Sequence, residues 1–270
     1  MQVSIIIINY NTNHLTLDCI QSIKDKTKEV SYEIIVVDNA SPKDDPEIIK
    51  AKFPDIVLVK SKENLGFAKG NNLGITHAKA DVYLLLNSDT VLINDAVSIA
   101  YEKLTAQKNI GVVGAQLQYP DGSYQYSAQR FPAIKYQLIQ IFRLQKLMSR
   151  QKRGRYMLGG YFSCEEDVYA DWIWGTFFMI KKEVIAKMPG NKLADDFFMY
   201  AEDLQWGLET KKAGYKTFFV SDAKIIHFVG KNSFAKEMNV ANHKTLLKKY
   251  YGTLYYNVYT FLEKVAQVKF

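Results

Sequence analysis

One short turn in this sequence has the residue types to do chemistry directly. Asn87-Ser88-Asp89 follows the uninterrupted apolar run Val82–Leu86, which reads as a strand buried on both faces. A carboxylate beyond the carboxyl end of such a strand can hold a divalent cation through oxygen, and the cation can neutralise a diphosphate. The same residues, with Thr90, also suit the start of a helix, because Ser, Asp and Thr are good N-caps. Two further polar clusters follow apolar runs in the same way. Asn9-Tyr10-Asn11 comes after Val3–Ile8, and Asp38-Asn39-Ala40-Ser41 comes after Ile34–Val37.

The elements that must position these clusters alternate regularly. Strands are expected at Val3–Ile8, Ile34–Val37, Ile56–Val59 and Val82–Leu86. Between them lie a helix capped by Asn13 with Leu15, Cys19, Ile20 and Ile23 on one face, a short helix opened by Pro46, and a helix near Phe67–Ala78. That βαβ alternation implies a parallel, doubly wound sheet with right-handed crossovers. Strand ends of one parallel sheet share an edge, and ligands bind beyond the carboxyl ends, so the three clusters are expected to converge on one crevice. Neither a G-x-G-x-x-G fingerprint after the first strand nor a G-x-x-x-x-G-K-[ST] loop is present. Any phosphates must then be held by a metal and side chains.

Beyond residue 90 the pattern predicts a helix at Ala96–Gln107, a strand at Gly111–Gln118 and a hairpin turn at Pro120–Ser123. Helical spacing runs through Ile134–Ser149 into the basic run Arg150–Arg155, read as solvated or mobile in preference to a membrane contact. Asp171–Ile180 reads as a strand, Lys182–Met188 as a short helix, and Glu202, Asp203 and Trp206 as the start of a helix ending at Gly214. Strands at Lys216–Val220 and Lys224–Phe228 precede a helical stretch from 239 to 270. Its stripe of Tyr250, Tyr251, Tyr255, Tyr256 and Tyr259 reads as a packing or oligomer face.

With 48% hydrophobic and 23% charged residues the chain is globular. A net charge of +7 and a pI near 9.1 suit an anionic partner without choosing among nucleotide, nucleic acid and lipid. Cys19 and Cys164 are the two cysteines, which gives neither a disulfide framework nor a Cys metal site. With no leader-like start and no spanning run, the expected location is cytoplasmic.

The blocks IIIINYN, VVDNAS, ENLGFAKGNN, LLLNSDT, WGTFFMIKKE, YAEDLQWGLETKKAGYK and HFVGKNS occur in that order. Together they resemble the family 2 glycosyltransferases of GT-A fold, and within them the bacterial rhamnosyltransferase-like members of polysaccharide assembly. The resemblance runs from Val3 to about Ser233. It implies a GT-A (nucleotide-diphospho-sugar transferase) fold, with a mostly parallel central sheet flanked by helices. Residues 1–233 would be the transferase domain, with a nucleotide-binding half at 1–118 and an acceptor or catalytic half at 119–233. Residues 234–270 would be a helical C-terminal extension.

The resemblance also implies roles. Tyr10 would lie against the base, Asp38 would accept from a pyrimidine N–H, and Lys69 would sit near the diphosphate or base. Asn11, Asn39, Asn64, Gly66, Asn87 and Ser88 would complete the nucleotide-sugar site. Asp89 would bind a divalent metal, Mn²⁺ or Mg²⁺, with His227 completing its shell, although Asn87 stands where the family has its first acid. Asp203 would be the general base, taking the proton of an acceptor hydroxyl that is a poor nucleophile until it is removed, and direct attack would invert the anomeric centre. Glu202 would bind or orient the acceptor, with Trp174 and Gly175 shaping the sugar pocket. Singly, Glu202-Asp203 would also suit a helix N-terminus, and His227 a core position.

The implied function is an inverting, metal-dependent transfer from a dTDP- or UDP-linked sugar to a glycan or lipid-linked acceptor. A sugar nucleotidyltransferase and a non-catalytic sugar-nucleotide-binding module are the alternatives. Nucleic acid is not expected as a partner. Peripheral contact with the inner face of the membrane is a separate hypothesis, resting on Arg150–Arg155 and the Tyr-rich tail, and a homo-oligomer is left open.

Overall fold

A computed structural model describes residues 1–228 and 234–267. The first half builds β1 (Val3–Asn9), α1 (Asn13–Lys26), β2 (Tyr32–Asp38), α2 (Glu47–Lys52), β3 (Val57–Lys60), α3 (Gly66–Thr76), β4 (Val82–Asn87), β5 (Thr90–Leu92), α4 (Ala96–Ala106) and β6 (Ile110–Gln118). The second half adds β7 (Tyr124–Gln125), β8 (Ala128–Gln129), α5 (Ile134–Ile141), α6 (Arg150–Met157), β9 (Val168–Ala170), β10 (Trp172–Ile173), β11 (Phe177–Lys181), α7 (Lys182–Ile185), α8 (Glu202–Lys212), β12 (Lys216–His227), α9 (Phe234–Tyr251) and α10 (Thr253–Gln267).

The fold is α/β around a ten-stranded mixed sheet of order β3-β2-β1-β4-β11-β6-β12-β5, with β7 on β6 and β9 on β12. Strands β3, β2, β1 and β4 run parallel. Because β11 is antiparallel to both β4 and β6, and β12 is parallel to β6, six strands share one direction. Apolar residues on both faces of β1, β2, β4, β6 and β11 make two cores, one holding Ile5, Ile7, Leu84 and Leu86, the other Ile6, Ile35, Leu85 and Trp206. A third, smaller cluster joins α8 to the C-terminal helices through Leu204, Leu208 and Leu246.

Several local expectations change. The helical spacing over 134–149 stops at Ile141, where Phe142 leaves the helix and Arg143 turns left-handed (φ 55°). The basic run is a helix and not a loose segment: Ser149 Oγ caps it by accepting from Lys152 N at 3.3 Å, and Arg155 and Gln151 both donate to Glu166. The apolar stretch 171–180 is broken at Trp174–Thr176 into β10, which pairs β8, and β11 in the main sheet. Periodicity misses that break because both pieces are apolar. Conversely, the two strands expected between 216 and 228 are one, β12, with a bulge between Val220 and Lys224. The tail is helical in two pieces hinged at Gly252 (φ 86°). The Val229–Ser233 part of the late motif lies outside the described residues.

Candidate active site

Sheet register brings the polar clusters together. Asn9 lies opposite Asp38 in the β1–β2 pairing, and Asn87 is opposite Ile8 in the β1–β4 pairing. Three adjacent strands therefore end at one level, and Asn9 is the node between them. Its buried amide donates to Asp38 Oδ1 (2.8 Å) and Asn13 Oδ1 (2.9 Å), while its oxygen accepts from Thr12 and Thr16 hydroxyls (3.2 and 2.8 Å). Thr12 Oγ1 also meets Ser88 Oγ at 3.2 Å, tying the Asn87-Ser88-Asp89 turn to the loop after β1.

Asp38 is buried, and its carboxylate accepts from Asn9, from Ser41 N (3.1 Å) and from Ser41 Oγ (2.6 Å). A carboxylate has about four lone-pair sites, so room remains chiefly on Oδ2 for one further donor. Ser41 also receives Asn11 N at 2.9 Å, and Asn11 Oδ1 accepts from Lys43 N at 2.9 Å, so the Asn11 side chain fixes the loop after β2. Tyr10, next to them, is exposed.

A second group links this edge to the loop at Phe198. Asn39 Nδ2 donates to Gly66 O (2.9 Å), Asn64 Oδ1 accepts from Gly66 N (3.0 Å), and Phe67 N donates to Phe198 O (2.9 Å). Gly66 is required there: its φ is +74°, and a Cβ would come within 2.2 Å of Phe198 O. Lys69 is exposed on the first turn of α3.

Residues 198–203 are held under strain. Tyr200 and Ala201 both have positive φ (69° and 74°), a costly conformation for residues with a Cβ. Asn242 of α9 stabilises it by donating to the carbonyls of Met199 and Tyr200 (2.8 and 3.1 Å). The strained turn presents Glu202 and Asp203 at the start of α8, where the helix dipole favours acids. Asp203 accepts from Leu204 N at 2.8 Å, and the backbone N–H of Gly175 lies near enough to favour its ionised form. Gly175 adjoins Thr176, whose carbonyl accepts from Asn87 N at 3.0 Å. The β10–β11 break thus sets Gly175 near Asp203 and bonds the next residue to the acidic turn. Trp174 flanks Gly175, half-buried, its backbone N–H donating to Ser127 O at 3.2 Å.

The two carboxylates differ electrostatically. Burial, and then the charge of Asp203 beside it, push Glu202 up to about 8, and its Oε2 has no hydrogen-bond partner among the described residues. Burial also raises Asp203, opposed by the backbone N–H groups of Leu204 and Gly175, so it stops at about 6. Of the two, Glu202 holds its proton longer, with the charge of Asp203 beside it, and Asp203 is the readier to ionise.

On the other side of the turn, β5 pairs antiparallel with β12, with Thr90 opposite His227. This sets Asp89 Oδ1 3.4 Å from His227 Nε2. Gln125, which the sequence reading passed over, decides what that contact is. Its amide nitrogen donates to His227 O (2.9 Å), which leaves its oxygen facing His227 Nδ1 at 2.7 Å. Nδ1 must then carry the proton, and in the neutral ring Nε2 turns a lone pair toward a carboxylate oxygen. Two acceptors face each other, an arrangement that a proton or a cation between them would relieve. One carboxylate and one imidazole suit a divalent ion that takes its other ligands from water or phosphate. Among the described residues no cluster of three or more His, Cys, Asp or Glu side chains forms. A cavity of about 750 Å³ between Tyr124, Tyr126 and the Arg150–Glu166 segment is bounded by none of these groups.

Residues 4–166, more than half of the chain, match the model of Glycosyl transferase family 2. The glycosyltransferase GlyG of Streptococcus pneumoniae serotype 4 is 25% identical over 208 residues, 73% of this chain and 64% of that protein. An N-acetylglucosaminyl-diphospho-decaprenol L-rhamnosyltransferase of Mycobacterium tuberculosis (strain ATCC 25618 / H37Rv) is 21% identical over 214 residues, 74% of this chain and 67% of that one. The chain thus spans just under two thirds of the first relative's length. Among solved structures, the mannosyltransferase PcManGT from Pyrobaculum calidifontis, in complex with GDP-Man and Mn²⁺, superposes with a TM-score of 0.64 at 16% identity, over 98% of this chain and 70% of that one. GalNAc-T7 with UDP, GalNAc and Mn²⁺ gives 0.60 at 16% identity, over 89% and 47%. At such identity the likeness concerns the fold, which is GT-A.

Proposed function

The chain belongs to glycosyltransferase family 2, and from that premise we propose that it is an inverting, divalent-metal-dependent transferase. It would move a sugar from a nucleoside-diphosphate donor to a glycan or lipid-linked glycan in cell-surface polysaccharide assembly. The observation that supports this reading is the Asn87–Thr176 hydrogen bond, with the backbone N–H of the adjoining Gly175 near Asp203. It sets a carboxylate of base character beside the strand end where the acidic turn sits.

In this reading residues 1–118 hold the nucleotide, residues 119–233 the acceptor and the base, and 234–270 support them. Tyr10 offers a stacking face, and Asp38 Oδ2 takes a base N–H while its other positions are engaged. Asn39, Asn64 and Gly66 hold the α3 N-terminus in place, and Lys69 faces the diphosphate. Asp89 and His227 hold the divalent ion, which when bound neutralises the leaving diphosphate. Asp203 accepts the acceptor's hydroxyl proton as the oxygen bonds to the anomeric carbon. The bond from that carbon to the diphosphate breaks on the opposite face, so configuration inverts. Glu202, the member of the pair that holds its proton longer, can donate a hydrogen bond to the acceptor when protonated, and Trp174 walls the sugar.

Rhamnose carried on dTDP is the preferred donor, supported by the name of the mycobacterial relative, with UDP-linked hexoses next. Thermal shift with dTDP, UDP, GDP and CDP, each with and without Mn²⁺, tests the site. Metal-dependent stabilisation by dTDP or UDP is expected, about 2.7 kcal/mol at a hundredfold excess over Kd. Indifference to all four nucleotides would contradict it.

A further inference from the structure

The chain's net positive charge is not spread evenly along its sequence. Residues 122–164 hold eight Lys and Arg and no Asp or Glu, more than the whole chain's net +7, so the remainder is close to neutral. This segment is the one that joins the hairpin after β6 to β9, and no residue given a role at the strand ends lies in it except Gln125.

The segment also exposes apolar side chains where its helices turn. Phe142 and Leu147 are 67% and 84% exposed, with Leu138 and Leu144 also open to solvent. Lys146, Arg150 and Lys152, close to them in sequence, stand exposed, while Arg130 and Arg155 are engaged by Asp171 and Glu166. Helix α10 packs against α5 through its tyrosines: Tyr255 Oη donates to Pro132 O (3.1 Å), and Gln137 Nε2 donates to Tyr259 Oη (3.0 Å). That contact leaves Leu254 and Phe261 at 80% and 65% exposure, with Val258 between them. Spaced i, i+4 and i+7, they form one stripe adjoining the packed tyrosine face.

We propose that the α5–α6 segment and the outer stripe of α10 form a docking surface for an anionic lipid bilayer. Apolar tips ringed by cations match an interface that is greasy inside and negatively charged at its headgroups. A nucleic acid would draw on the cations and leave Phe142 and Leu147 without a purpose. A second copy meeting this face about a twofold axis would bring like charges together. No helix among the described residues is long and apolar enough to cross a membrane, so the contact is with the surface. The inference stands independently of the donor and acceptor.

The test is sedimentation of the full chain with phosphatidylcholine vesicles, with or without phosphatidylglycerol, at low and high salt. Expected is binding to the anionic vesicles at low salt that falls away with salt or in their neutral counterparts. Lys146→Glu with Arg150→Glu should weaken it about tenfold or more, at roughly fivefold for each cation lost. Phe142→Ser with Leu147→Ser should weaken it while leaving the thermal response to nucleotide unchanged, which shows the fold intact. No binding at low salt, or binding insensitive to both pairs, would overturn the proposal. So would a dimer in light scattering that Phe142→Ser with Leu147→Ser dissolves, since a second copy would then cover the surface.

Discussion

Glu202 and Asp203 are neighbours in sequence but sit in different electrostatic surroundings. Glu202 finds no partner for Oε2, whereas Asp203 collects backbone N–H groups. A carboxyl raised in the folded state favours folding while it is protonated, and that contribution is lost as pH rises through the folded value. For Glu202 the window runs from its ordinary 4.5 to about 8. Glu202→Gln removes the ionisation, so it should raise Tm by several degrees at pH 9 and by much less at pH 5. Calorimetry at the two pH values checks this, and an equal change at both would show that ionisation is not involved.

At the scale of elements, the site depends on where strands break and pair. Antiparallel pairing of β5 with β12 sets Asp89 against His227, and β7 lays Gln125 on the far side of the ring. Gln125→Leu should weaken Mn²⁺ binding about 10- to 100-fold, the usual effect of losing a partner that orients a metal-binding histidine. Titration calorimetry reads this without turnover, and unchanged affinity would mean that His227 does not hold the ion. Much of the scaffold was legible in the sequence: the apolar runs ending in NYN, DNAS and NSD gave β1, β2 and β4 with their polar ends. Trp174–Thr176 was not, because an interruption inside an apolar run leaves no trace in periodicity. Gln125 and Asn242 were not either, since each acts through a partner about 102 and 43 residues away, and local pattern carries no such pairing. A lone Gln between two tyrosines is the only local signal the first could have offered.

For the whole molecule, one mixed sheet carries the polar edge, and the C-terminal helices brace the loop that leads into Glu202 and Asp203. Asn242 holds the strained carbonyls of Met199 and Tyr200, and Tyr250 reaches Glu209 of α8 at 2.8 Å. The tail's tyrosine stripe therefore serves packing within the chain, while the outer stripe of α10 is left for the bilayer proposed above. The central claim is that Asp203 takes a proton from an acceptor hydroxyl in a sugar transfer. The most direct measurement is nucleoside-diphosphate release from a donor and acceptor, followed against pH for the native chain and for Asp203→Asn. The native rate should climb to a plateau with a midpoint above the ordinary carboxylate range, because burial raises Asp203, and Asp203→Asn should lower kcat by ~10²-fold or more with donor binding intact. A variant that turns over at the native rate would contradict that claim.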